Sequence, residues 1–133
     1  MKQILSNDII NQYMPTLVKC PLFNTLGEPE LRNYLNNAKV IIHSYQKNDF
    51  IALAGDPMEG IGVILEGSAL LTRENVMGQR VIMANLEQSD IFGEALLFSK
   101  QPLWPATIKA TKATKIMFIP LETFIKTLPD CHQ

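Results

Sequence analysis

The stretch Gly60-Ile61-Gly62-Val63-Ile64-Leu65-Glu66-Gly67-Ser68-Ala69-Leu70-Leu71-Thr72-Arg73, continued after a loop at Gly78 by Arg80-Val81-Ile82-Met83-Ala84-Asn85-Leu86, decides the fold class. It holds three short apolar runs, with Glu66-Gly67 and the loop ending near Gly78 between them. Runs of this length bounded by Gly, Asp and Asn read as strands joined by tight turns. Upstream, Lys39-Val40-Ile41-Ile42-His43-Ser44-Tyr45 is closed by Asn48-Asp49. Phe50-Ile51-Ala52-Leu53 follows, and Gly55-Asp56-Pro57 makes a strong turn. Downstream, Gln88-Ser89-Asp90 turns the chain, then Thr107 to Ala110 and Lys115 to Ile119 complete the set before Pro120. Strands repeating roughly every ten residues imply a β-sandwich or barrel.

Both ends of this β region read as helical. Ile9, Ile10, Tyr13 and Met14 share a face behind a Ser6 cap, with Pro15 limiting the continuation. Gly27 precedes Glu28-Pro29-Glu30, which puts proline near a helix start and acids at the positive end of its dipole. Leu31, Tyr34, Leu35 and Ala38 form the buried stripe. Leu121 to Leu128 reads as a short closing helix. The expected organisation is one domain: helices over about 1–38, the β region over 39–119 and the closing helix over 121–128.

Composition narrows the function. The chain has 133 residues with 12 basic and 13 acidic side chains, so its net charge of −1 gives no general drive toward nucleic acid. A hydrophobic content of 47% supports a packed core. No apolar run is long enough to span a bilayer, and the amino terminus lacks the pattern of a secretory signal. Cys20 and Cys131 are far apart and without CxxC spacing, which excludes a self-contained four-cysteine metal site. Two free thiols in a reducing cytoplasm is the reading adopted.

One segment breaks the strand pattern: Ile91-Phe92-Gly93-Glu94-Ala95-Leu96-Leu97-Phe98. Ala95, Leu96 and Leu97 favour helix, so a one-turn helix opening at Gly93-Glu94 is predicted. Its first N–H groups lack intrahelical partners and could receive a phosphate or carboxylate. Glycine there allows a ligand to approach the backbone, and Glu94 could accept hydrogen bonds from ligand hydroxyls. Equally, Gly93 could serve only a tight turn and Glu94 only the helix end.

The chain resembles the sensor domain of the CRP/FNR superfamily of bacterial transcription regulators. The resemblance runs from Pro21-Leu22-Phe23 to Phe124. It rests on Gly55-Asp56-Pro57, Ile64-Leu65-Glu66-Gly67, Gly78, Asp90-Ile91-Phe92-Gly93-Glu94, Ala106-Thr107-Ile108-Lys109-Ala110 and Ile119-Pro120, in family order and spacing. It implies an antiparallel double-stranded β-helix (a jelly roll) of the cyclic-nucleotide-binding type, mainly β with flanking helices. It also implies a small-molecule effector bound by Phe92, Gly93, Glu94, Ala95, Leu96, Trp104, Pro105, Ala106 and Thr107. DNA would be reached only through a helix-turn-helix domain absent from these residues. The full-length protein would be a homodimer, and this segment alone a weak dimer or none.

The resemblance also exposes a departure. Members that bind cyclic AMP pair Phe-Gly-Glu with a downstream Arg-Ser or Arg-Thr, and that pair falls on Trp104-Pro105 here. An indole has one N–H and no charge, so it cannot replace a bidentate guanidinium. Lys100 and Lys109 are the nearby cations that could stand in. Three readings follow: an altered pocket for another effector with Glu94 and Thr107 as polar contacts, a vestigial pocket filled by Trp104, or retained nucleotide binding. The first is adopted, and cyclic AMP is expected not to bind usefully.

No cofactor is expected. An iron–sulfur cluster fails because only Cys20 lies near the amino-terminal segment that holds it in relatives. The nominal haem ligands are His43, His132, Cys20, Met58 and Met83, in no shared motif. No GxSxG, P-loop or HxH pattern supports an enzyme.

Overall fold

The computed structural model describes residues 2–4, 7–21, 23–94 and 103–120. Helices α1 (Asn7–Leu17) and α2 (Glu28–Asn37) precede most of the strands. The strands are β1 (Lys2–Ile4), β2 (Ile41–Tyr45), β3 (Phe50–Ala52), β4 (Gly60–Glu66), β5 (Ala69–Glu74), β6 (Arg80–Leu86), β7 (Ile91–Phe92), β8 (Thr107–Ala110) and β9 (Thr114–Pro120). They form two antiparallel sheets, a five-stranded one ordered β1-β2-β9-β4-β7 and a four-stranded one ordered β3-β8-β5-β6. This is the mainly β jelly roll that the family resemblance implies, within the sandwich-or-barrel class expected from the strand spacing.

The sequence alternation explains the layers. In β4 every residue from Gly60 to Leu65 is buried, because the strand is central and covered on both faces. Ile61, Val63 and Leu65 point toward the helices. There they pack with Ile10, Tyr13, Met14 and Leu17 of α1 and with Leu31, Tyr34 and Leu35 of α2. Ile64 points the other way, into the space between the sheets, where it meets Ile116 and Ile108. The molecule therefore has three layers and two cores, with the larger sheet as the shared wall.

Four local expectations are corrected. The amino-terminal segment is not helical throughout, since Lys2–Ile4 pairs with Ile41–His43 as an edge strand. Pro15 does not limit α1, which runs on to Leu17, and Val18 N–H still donates to the Met14 carbonyl at 3.0 Å. A proline in a last turn removes one donor, while the buried Leu17 holds that turn against the core. Ile91–Phe92 is a strand paired with Gly62 and Val63 of β4. The β region begins at Ile41, because Lys39 takes a left-handed turn with φ of 53°. The predicted closing helix at 121–128 lies outside the described residues, as do Ser6 and Leu22.

Candidate functional site

The turn at Gly55-Asp56-Pro57 has a second task beyond reversing the chain. Gly55 sits at φ +91°, and its N–H donates to the Trp104 carbonyl at 2.8 Å. Trp104 N–H returns a bond to the Asp56 carbonyl at 2.9 Å, and Pro57 bridges Leu103. This two-way clamp holds Trp104 against the mouth of the roll, and the side chain is only 7% exposed. Its ring lies 5.7 Å from that of Phe92, centroid to centroid, inclined at 41°.

Phe92 is fixed from the other side. It pairs with Gly62, and a Cβ on Gly62 would collide with the Phe92 ring. The missing side chain of β4 is thus the seat of the ring, which also meets Phe118 edge-on at 6.0 Å. Gly93 follows at φ +95°, a conformation that favours glycine. A Cβ there would come within 2.9 Å of Met58 Cε and 3.4 Å of Trp104 Cζ3, so the indole edge packs directly on this glycine.

A cavity of about 230 Å³ opens beside these groups. Phe92, Gly93, Glu94, Trp104 and Pro105 all line it. Leu71, Leu86 and Ile108, which the sequence reading did not single out, complete much of its apolar wall. Glu94 is its one ionisable lining group among the described residues. Two other expected residues stand apart. Ala106 is buried but does not reach the cavity wall. Thr107 faces the opposite side of β8, where its Oγ1 accepts the Ala54 N–H at 3.2 Å. The inward face of β8 carries Ile108 and Ala110, both buried, because apolar side chains take the side turned to the core. Lys109 therefore points outward, with Nζ 5.5 Å from the centre of the Phe50 ring, and does not approach Gly93. Ala95, Leu96 and Lys100 lie outside the described residues.

The nominal haem ligands among the described residues lie in different parts of the fold. Cys20 is buried in the helix-side core, Met58 is buried between the sheets, and Met83 is exposed on β6. His132 and Cys131 lie outside the described residues. Among the described residues no group of three or more His, Cys, Asp or Glu could hold a metal. No described helix is long and apolar enough to cross a membrane.

A family model described as the cyclic nucleotide-binding domain matches residues 42–130. The chain belongs to the cyclic nucleotide-binding domain family. Within that family it is 31% identical over 106 residues to a cAMP-activated global transcriptional regulator, CRP, of Pasteurella multocida. That match covers 77% of this chain and 50% of the relative, so the chain spans about half the length of this curated relative. Among solved structures, the N-terminal domain of a transcriptional regulator from Streptomyces coelicolor A3(2) is 25% identical. The match covers 85% of this chain and 77% of that one, with a TM-score of 0.73. A regulatory subunit of a cAMP-independent protein kinase A from Trypanosoma brucei, seen as a triple mutant bound to cAMP, is 19% identical. It covers 89% of this chain and 42% of that one, with a TM-score of 0.77. The relatives are named as regulators of transcription or of a kinase.

A second group of rings belongs to this cyclic nucleotide-binding domain. His43 stacks on Tyr45 at 6.2 Å and meets Phe118 edge-on at 5.6 Å. Burial, with smaller contributions from the Glu59 and Asp49 carboxylates, pushes the Tyr45 phenol up to about 12. The folded state thus keeps this proton more tightly than the unfolded chain, where a tyrosine ionises near about 10. The stability this contributes is whole below that value and is lost as pH rises through about 12. Ultraviolet titration of the three tyrosines should show Tyr45 ionising near the top of the range, and Glu59→Gln should bring it down. A Tyr45 that titrates at its ordinary value in the folded protein would contradict this.

Proposed function

We propose that the chain is the effector-sensing half of a CRP/FNR-type transcription regulator, and that the cavity beside Gly93 takes a small molecule other than cyclic AMP. One observation carries the reading: the indole of Trp104 packs on Gly93, where relatives that bind cyclic AMP would bring an arginine. Around it the described lining holds a carboxylate and no cation. A hydrogen bond to a charged group is worth about 1.5–3 kcal/mol. Loss of a bidentate pair therefore costs roughly a hundredfold or more in affinity for a phosphate. Glu94 is shared with the members that bind cyclic AMP, so the discrimination rests on Trp104 alone.

Size points the same way. Drug-sized ligands occupy cavities of about 300–1,000 Å³, and this one is about 230 Å³. An uncharged molecule smaller than a nucleotide fits it, with an apolar body against Phe92 and Ile108 and a hydroxyl or amine toward Glu94. That open volume also favours this reading over a pocket filled by Trp104. The likeness to a kinase subunit described as cAMP-independent is consistent with a fold that does not bring cyclic AMP response with it. Occupancy would shift the population of the whole regulator between two states, as any effector with unequal affinity for them does. DNA contact and dimerisation would rest on parts of the regulator outside these residues.

Calorimetric titration with cyclic AMP and cyclic GMP should give no saturable heat at micromolar ligand. Saturable micromolar binding of either nucleotide would overturn the proposal. Mass spectrometry of small molecules released on denaturing the protein isolated from cells would identify the effector class directly.

A further inference from the structure

A second cavity, of about 250 Å³, opens between β2, β9 and the loop from Leu53 to Glu59. It shares Trp104 with the first cavity and none of the other described lining residues. The aromatic residues Tyr45, Phe50, Phe118 and Trp104 line it, and His43, stacked on Tyr45, lines it too. Asp56 and Glu59 are the charged side chains of its described lining, and neither is ion-paired to a lysine or arginine among the described residues. Lys109 does not line it, and its Nζ lies over the Phe50 ring on the side of a third cavity that Lys109 and Phe50 share.

We infer that this second cavity binds a small organic cation, a quaternary ammonium or protonated amine, held by the faces of Tyr45, Phe118 and Trp104 and by the carboxylates of Asp56 and Glu59. Aromatic faces carry negative charge density and attract cations, most strongly where water is thinned out. An anion meets two carboxylates there and is excluded. A neutral apolar guest gains contact with the rings but none of the attraction of the carboxylates. The raised ionisation of Tyr45 fits this picture, since Glu59 is one of its causes and its charge is therefore felt inside the cavity. The site is independent of the reading of the cavity beside Gly93.

The test is NMR titration of the whole chain with choline, and with its uncharged isostere 3,3-dimethylbutanol, at a pH above the range in which imidazoles titrate. Choline should give saturable shifts at His43, Tyr45 and Phe118, and the alcohol should not. Asp56 and Glu59 are exposed, so Asp56→Asn and Glu59→Gln leave the cores intact. Together they should weaken choline roughly tenfold or more. Absence of saturation at millimolar choline, equal binding of the alcohol, or undiminished binding to the double variant would each overturn the inference. So would shifts centred on Gly93 and Glu94. The nucleotide titrations probe the other cavity, so failure here leaves the proposed function standing.

Discussion

Trp104→Arg combined with Pro105→Ser should raise affinity for cyclic AMP by about a hundredfold or more over the parent chain. Arginine removes the indole from Gly93 and puts a forked cation where the phosphate would sit. Serine returns a backbone N–H and a hydroxyl that proline denies. The exchange has a cost, because Trp104 is buried and packed on Phe92. Removing a buried aromatic ring lowers stability by about 3–5 kcal/mol. The variant should therefore melt earlier than the parent and recover part of that loss when cyclic AMP is added, as any ligand that binds only the folded state requires. Calorimetry on folded variant, with circular dichroism to establish that it is folded, measures both effects. Pro105→Ser alone should gain nothing. A folded double variant that still ignores the nucleotide would mean that Trp104 is not what keeps it out.

Gly62→Ala should destabilise the fold by about 2–3 kcal/mol, a large loss for adding one methyl group. The new Cβ would strike the Phe92 ring, which Trp104 and Phe118 flank, so the ring could yield only toward the cavity it lines and only at the cost of those packing contacts. Phe92→Leu alone should cost about 1–2 kcal/mol through lost packing. The two changes together should cost less than their sum by at least about 1 kcal/mol, since the smaller side chain vacates the space the methyl group needs. Urea denaturation of the four proteins closes the cycle. Simple additivity would mean that the ring does not sit on the glycine. The same cycle bears on the cavity, because Phe92 is one of its walls.

Much of this architecture could be read from periodicity, and its limits have physical reasons. The stripe Leu31, Tyr34, Leu35 is local, and it is buried as its spacing requires. The run from Gly60 to Leu65 is too apolar to be half-exposed, and it became the covered central strand. Lys2–Ile4 and Ile91–Phe92 were missed because two or three residues carry no period of their own. They are strands because Ile41–His43 and Gly62–Val63 offer them an edge. At the site, Gly93-Glu94 was visible through its departure from strand pattern, and Trp104 through a family contrast. Thr107 was expected in the cavity because strict alternation leaves the inward face undecided. Only the packing of Ile108 and Ala110 settles it. The second cavity was invisible, since β2, the loop carrying Asp56 and Glu59, and β9 meet only in the folded chain.

Trp104 is a party wall. The chain holds one tryptophan, and that ring bounds both chambers at once. A guest that displaced the indole in one chamber would reshape the wall of the other, so two guests that never touch would still feel one another through it. Thermodynamic linkage makes such an exchange mutual: whatever one occupant does to its neighbour's grip, the neighbour does in return.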